Sequence, residues 1–167
     1  MMQSDDEKWM RYALAEAHLA LKKNEVPIGA VVIYEGRIIG RGHNQVENLK
    51  DPTAHAEIIA IGAASNFLSS WRLSGSSIYV TIEPCAMCAG AMILSRLDRL
   101  IFGAKDPKAG ACGSLYNIVQ DIRLNHQVQI IPYVLEKECE QILQVFFEKL
   151  REESSESRLK GESGKDT

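Results

Sequence analysis

His55-Ala56-Glu57 and, further along, Pro84-Cys85-Ala86-Met87-Cys88 supply an imidazole, two thiols and a carboxylate at spacings that suit one metal site with a proton carrier beside it. A catalytic Zn²⁺ keeps three protein ligands and one open position, and one imidazole with two thiolates is an accepted set. His55, Cys85 and Cys88 fill that set, with one zinc per subunit. Water on a zinc held this way has its pKa lowered from about 15.7 toward about 7. Glu57 is then left to handle protons, taking one from the water and passing it to a ring nitrogen and on to a leaving amine. Apart, the two segments say little. A lone His-x-Glu is more often a helix start with a solvated acid, and Cys-x-x-Cys also serves redox pairs and four-cysteine structural zinc. Together they point to hydrolytic metal chemistry, because the remaining thiols, Cys112 and Cys139, have no such spacing.

The elements that must position these groups follow from the same segments. Residues two apart do not share a helix face, so His55 and Glu57 approach one metal only near a helix end. Asp51-Pro52-Thr53 precedes them, with Thr53 placed to cap a helix that continues through the apolar run 58–64. Pro84 suits a first helical turn and 86–93 continues as helix, which puts Cys85 and Cys88 at its start. The helix dipole there favours thiolate, as does the metal. Two helix N-termini should therefore face one zinc. Ser4-Asp5-Asp6-Glu7 is a capping-box pattern, and Trp9, Ala13, Leu14, Ala17, Ala20 and Leu21 recur at helical spacing to about Lys23. Strands are expected at 28–34 and 37–42, joined at Glu35-Gly36, a hairpin signal. Further strands at 78–82 and 99–102 flank the cysteine helix. A strand at 127–133 follows a long loop, and 136–151 closes the domain as an amphipathic helix. Strand, helix, strand order predicts parallel neighbours and a three-layer α/β/α sandwich.

His-x-Glu with Pro-Cys-x-x-Cys is the signature of the zinc-dependent cytidine and adenosine deaminases, and the resemblance extends beyond it. Val26-Pro27-Ile28-Gly29-Ala30-Val31, Asp51-Pro52-Thr53-Ala54-His55-Ala56-Glu57, Val80-Thr81-Ile82-Glu83-Pro84-Cys85, and Phe102-Gly103-Ala104-Lys105-Asp106 with Gly113-Ser114-Leu115 resemble the bacterial tRNA-specific adenosine deaminases. The likeness runs from about Trp9 to Leu150. It implies a cytidine deaminase-like fold with a five-stranded mixed sheet, and hydrolysis of the wobble adenosine to inosine in the anticodon of an arginine tRNA. It also implies a homodimer with the tRNA loop bound across two subunits. The small residues Ala86, Ala89, Gly90 and Ala91 permit close packing of the cysteine helix, on a partner or on the sheet.

The resemblance carries substrate roles too. Asn44 offers a donor and an acceptor to a purine edge or ribose, and Ala54 makes a close wall beside a flat base. Lys105 and Asp106 lie at the pocket mouth, within reach of flanking nucleotides. Glu83 supports the metal ligands or partners the substrate amino group; the residues alone leave both open. Phe146 is expected in the core, and Phe147 at the lip. The rival reading is a small-molecule deaminase of guanine or cytosine type, since zinc and Glu57 serve any amino-substituted base and the pocket lining decides among them. Asp51-Pro52-Thr53 and Lys105-Asp106 favour tRNA. A catalytically silent relative would usually lack the carboxylate that Glu57 provides.

At 167 residues the chain suits one well-buried core. We expect a deaminase domain over 1–151 and a disordered charged tail over 152–167. No membrane helix and no signal peptide are read, so a cytoplasmic protein with Cys112 and Cys139 as free thiols is expected. There is no glycine-rich phosphate loop, hence no nucleotide cofactor. The formal net charge of -3 runs against an RNA partner. Local clustering of Arg72, Arg96, Arg99, Lys105, Lys108 and Arg151 around the pocket would have to compensate.

Overall fold

The structure, a computed structural model, describes residues 4–162. Helix α1 spans Asp5–Lys22, and the Ser4 hydroxyl accepts from the Glu7 amide at 3.2 Å, the cap that the sequence predicts. Strands β1 (Gly29–Tyr34) and β2 (Arg37–His43) form an antiparallel hairpin. Its turn residues Glu35 and Gly36 have φ of 47° and 72°. Two positive values are what a twist-matched two-residue turn requires, and Gly36 adopts one without strain.

The short helix α2 (Val46–Leu49) and the longer α3 (Ala56–Leu68) follow. Beyond them lie β3 (Ser77–Ile82), α4 (Ala86–Leu94) and β4 (Arg99–Ala104). A 3-10 turn at Ile118–Gln120 precedes β5 (Gln129–Ile131), and α5 (Glu136–Glu162) ends the described chain. The sheet order is β2-β1-β3-β4-β5. β1 is antiparallel to both β2 and β3, whereas β3, β4 and β5 are parallel. The expectation of parallel neighbours holds for β3, β4 and β5. It fails across α3, because β3 pairs with β1 and not with β2.

Alternation along the strands divides the core between two faces. Val31, Ile33, Tyr79 and Ile101 pack with Met10, Ala13 and Ala17 of α1 and Ile142 of α5. Ala30, Val32, Ile78, Val80 and Leu100 pack with Ala56, Ala60 and Ala64 of α3 and Ala89 and Met92 of α4. That is the three-layer α/β/α sandwich with a five-stranded mixed sheet. Gly42 fixes the height of α3 above β2, since a Cβ there would lie 2.2 Å from the Ala56 carbonyl oxygen.

Four local expectations are corrected. Thr53 does not cap α3; its amide and hydroxyl both donate to Asp51 Oδ1, and His55 is the residue before the first turn. Pro84 lies two residues before Ala86, the first residue of α4, whose N-cap is Cys85. β5 is shorter than 127–133, because Pro132 lacks an amide to donate and Tyr133 turns to φ 66°. Residues 152–162, expected to be disordered, continue α5. Its Glu, Arg, Lys and Leu content favours helix, no proline interrupts it, and Lys149 pairs with Glu153 one turn on at 3.9 Å. The rest of the expected tail, 163–167, lies outside the described residues. No helix among the described residues is long and apolar enough to cross a membrane.

Candidate active site

α3 and α4 present their first turns to one point, for the reason the spacing predicts. His55 is the N-cap of α3 and Glu57 lies in its first turn; Cys85 is the N-cap of α4 and Cys88 lies in its first turn. His55 Nδ1 stands 3.6 Å from Cys85 Sγ and 3.5 Å from Cys88 Sγ. The three ligand atoms lie within 4.8 Å of one another. Zinc bonds of about 2.3 Å to sulfur and 2.0–2.1 Å to nitrogen, at a tetrahedral angle, set S and N about 3.6 Å apart. The donor set therefore fits zinc in both chemistry and spacing.

The ionisation of these groups agrees. Hydrogen bonding from Cys88, and next from His55, holds the Cys85 thiol down to about 3. The same contact with Cys85, together with burial, pushes Cys88 up. Hydrogen bonding to Cys85 raises His55. Protons alone let only one of the two sulfurs ionise, whereas a dication among them favours both thiolates. Glu57 is 3% exposed, and burial, the largest effect on it, raises its carboxyl to about 7. A group so placed can hold or release a proton near neutrality.

His55, Ala56 and Glu57 border a cavity of about 530 Å³ whose other walls come from three directions. Asn24, Glu25, Val26 and Ile28 lead from α1 into β1. Asn44, Val46 and Glu47 follow β2, and Phe146, Phe147 and Leu150 come from α5. Asn44 is 7% exposed, yet its side chain makes no hydrogen bond among the described residues, which leaves its amide for a ligand. Phe146 is buried and Phe147 is 46% exposed, the division into core and lip that was expected.

Four expected substrate residues do not line this cavity. Ala54 is buried, and its carbonyl accepts from the Gln45 amide at 3.0 Å. Glu83 is 2% exposed and holds the loop after β4. Oε2 accepts from the Asp106 amide and the Ser114 hydroxyl, and Oε1 accepts from the Cys112 and Ser114 amides. Burial opposes its ionisation, but the Ser114 hydroxyl and these amides hold the carboxyl below its usual range. These contacts fasten the loop to the strand end that leads into Pro84 and Cys85. Asp106 Oδ1 accepts from the Lys108 and Ala109 amides, and Lys105 is exposed on the same loop. Sequence reasoning missed the wall that Asn24, Glu25, Val26 and Ile28 form, together with Val46, Glu47 and Leu150. Only the Glu25-Val26-Pro27 stretch, a helix end before an extended pre-proline residue, carried a local signal.

A second groove, about 730 Å³, shares Phe147 and Leu150 with the cavity and continues along α5 past Gln144, Arg151, Ser154, Ser155 and Arg158, with Lys108 on its other side. The ion pairs formed among the described residues engage none of Lys108, Arg151 and Arg158.

This fold, with a buried carboxylate beside a His-Cys-Cys set, defines a deaminase, and residues 4–151 match the MafB19-like deaminase family model. The tRNA-specific adenosine deaminase of Bacillus subtilis (strain 168) is 47% identical over 155 residues, 93% of this chain and 96% of that protein. That of Aquifex aeolicus (strain VF5) is 48% identical over 145 residues, 87% and 95% of the two chains. A solved structure from work on A-to-I editing by tRNA:A34 deaminases at the wobble position of transfer RNA superposes with a TM-score of 0.78. It is 42% identical and covers 81% of this chain and 98% of its own. The chain belongs to the tRNA-specific adenosine deaminase family.

Proposed function

We propose that the protein hydrolyses the wobble adenosine of an arginine tRNA anticodon to inosine, with zinc held by His55, Cys85 and Cys88. When bound, the metal supplies a Lewis acid that makes water nucleophilic at neutral pH. The target base, turned out of the anticodon loop, enters the cavity above Glu57. Asn44 receives its edge or ribose with its unpaired amide, and Phe147 closes the lip. Glu57 takes one proton from the attacking water and delivers it to the ring nitrogen, then takes the second from the hydroxyl formed at C6 and delivers it to the leaving amino group. The C6–O bond forms, the C6–N bond breaks, and ammonia leaves. Loop residues Lys105 and Asp106, outside the cavity wall, meet flanking nucleotides.

The observation that carries the RNA reading is the continuity of the cavity with the groove that holds Lys108, Arg151 and Arg158. A free base ends at the cavity, whereas an RNA strand continues into cationic surface. Guanine deaminase of Bacillus subtilis shares the fold at 33% identity and a TM-score of 0.60. It covers only 66% of this chain, and the tRNA reading is favoured over that alternative. The protein acts as a cytoplasmic homodimer in this proposal. Support comes from exposed apolar side chains on and after α3 and α4: Phe67 (57%), Trp71 (60%) and Leu94 (72%).

The test measures inosine on an arginine tRNA with an ACG anticodon, beside free guanine and free cytidine. Wobble inosine without ammonia from the small molecules is the expected result. Deamination of guanine or cytidine with intact tRNA would overturn the substrate. Sizing of the same preparation should give a dimer; full tRNA activity from a monomer would remove the two-subunit reading.

A further inference from the structure

Glu25 is a buried carboxyl for which the proposed chemistry has no use. It lies in the turn between α1 and β1, is 1% exposed, and borders the cavity. Three N–H groups of α2 converge on it. Oε1 accepts from the Asn48 amide at 2.6 Å and from Asn48 Nδ2 at 2.7 Å, and Oε2 accepts from the Glu47 amide at 3.2 Å. α2 has four residues, none buried, and no side-chain cap of its own. So short a helix has no independent stability, and its place depends on what grips it. The same segment carries the cavity wall, since Val46 and Glu47 line it and Asn44 stands two residues ahead. Asn44 is held by its backbone, with its amide donating to Ile28 O at 3.0 Å, while its side chain has no partner among the described residues to aim it.

We propose that Glu25 is a positioning residue that locks the 44–50 wall and thereby aims the Asn44 amide at the bound base. Its own oxygens are committed to α2, so it acts through Asn44 and not on the substrate. This rests on the reading of the cavity as the base site.

The test is a double-mutant cycle of Glu25→Gln and Asn44→Ala on inosine formation, together with amide hydrogen exchange. A glutamine at position 25 turns one acceptor into an NH₂ that faces a backbone N–H. Exchange at Glu47 and Asn48 should quicken about 10-fold while β3 is unaffected, and kcat/KM should fall about 10-fold with Asn44 present. In the Asn44→Ala background the second loss should shrink to about 2-fold or less, with zinc content unchanged. Equal losses in both backgrounds overturn the proposal, as does unchanged exchange at Glu47 and Asn48. Asn48→Ala, at an exposed position, removes one of the three donors and should give a smaller loss with the same dependence on Asn44. It serves if Glu25→Gln does not fold. The wild-type arm judges the substrate reading separately. If it deaminates guanine or cytidine instead of tRNA, that reading fails and the same cycle, run on the accepted base, still decides the role of Glu25.

Discussion

Glu57 reaches the point where His55 Nδ1, Cys85 and Cys88 meet because His55 stands just before the first turn of α3, where side chains two apart have not yet diverged. The carboxylate is therefore separable from the ligands by substitution. Glu57→Ala should keep about one zinc per subunit and lose about 10²–10⁴-fold or more in kcat, the usual share of acid–base catalysis. Cys88→Ala should lose the metal itself, since two donors remain where three are needed. Metal analysis beside single-turnover inosine formation checks both, and appreciable turnover by a zinc-loaded Glu57→Ala protein would contradict the role of Glu57. These four residues were legible in the sequence because each one's chemistry leaves few alternatives at that spacing. Glu25 was not, because its partners Glu47 and Asn48 are 22 and 23 residues away and only the fold brings them together. Glu83 was visible as a carboxylate beside Pro84, but its work on the 105–114 loop depends on a backbone path that no local pattern encodes.

Among the elements, α3 carries the most consequence, because its first turn holds both a metal ligand and the proton carrier. Its seat is β2, where Gly42 lets the strand lie against the α3 backbone. An added methyl would meet the Ala56 carbonyl oxygen at 2.2 Å and the Ala60 amide nitrogen at 2.7 Å, neither of which can move without the helix. Gly42→Ala should cost about 1–3 kcal/mol, the range for overpacking a filled interior. It should also lower zinc affinity, because α3 must lift at the end that carries His55. Urea unfolding with metal titration measures both, and wild-type stability would show that β2 yields instead. Periodicity and turn chemistry were enough to place α1, the β1–β2 hairpin, β3, α4 and β4 within a few residues. α2 escaped notice because four residues show no periodicity, and the extension of α5 escaped because a polar, serine-rich composition reads alike for a solvated helix and for disorder. That extension bears on function, since it brings Ser154, Ser155 and Arg158 into line with the cavity.

At the scale of the whole molecule, an RNA substrate has to be reconciled with a formal net charge of -3. The Debye length is about 8 Å at physiological salt, so a phosphate in the α5 groove responds to the charges beside it and hardly to acids on the far side of the sheet. Lys108, Arg151 and Arg158 line that groove outside the ion pairs formed among the described residues, no acid is among its lining residues, and a bound strand meets these cations first. Each phosphate so neutralised releases counterions, and log K should fall with log salt by about 0.7 per contact for a single-stranded segment and about 0.9 for a duplex. Arg151→Ala and Arg158→Ala should each weaken tRNA binding and flatten that slope by about one contact, and the double variant by about two. Arg72→Ala, beside Trp71 and away from the groove, should leave the slope as it is. Binding isotherms of an anticodon stem-loop over a range of salt provide the measurement. A slope that ignores Arg151 and Arg158 but follows Arg72 would move the RNA to the α3 side of the molecule and separate the groove from the reaction.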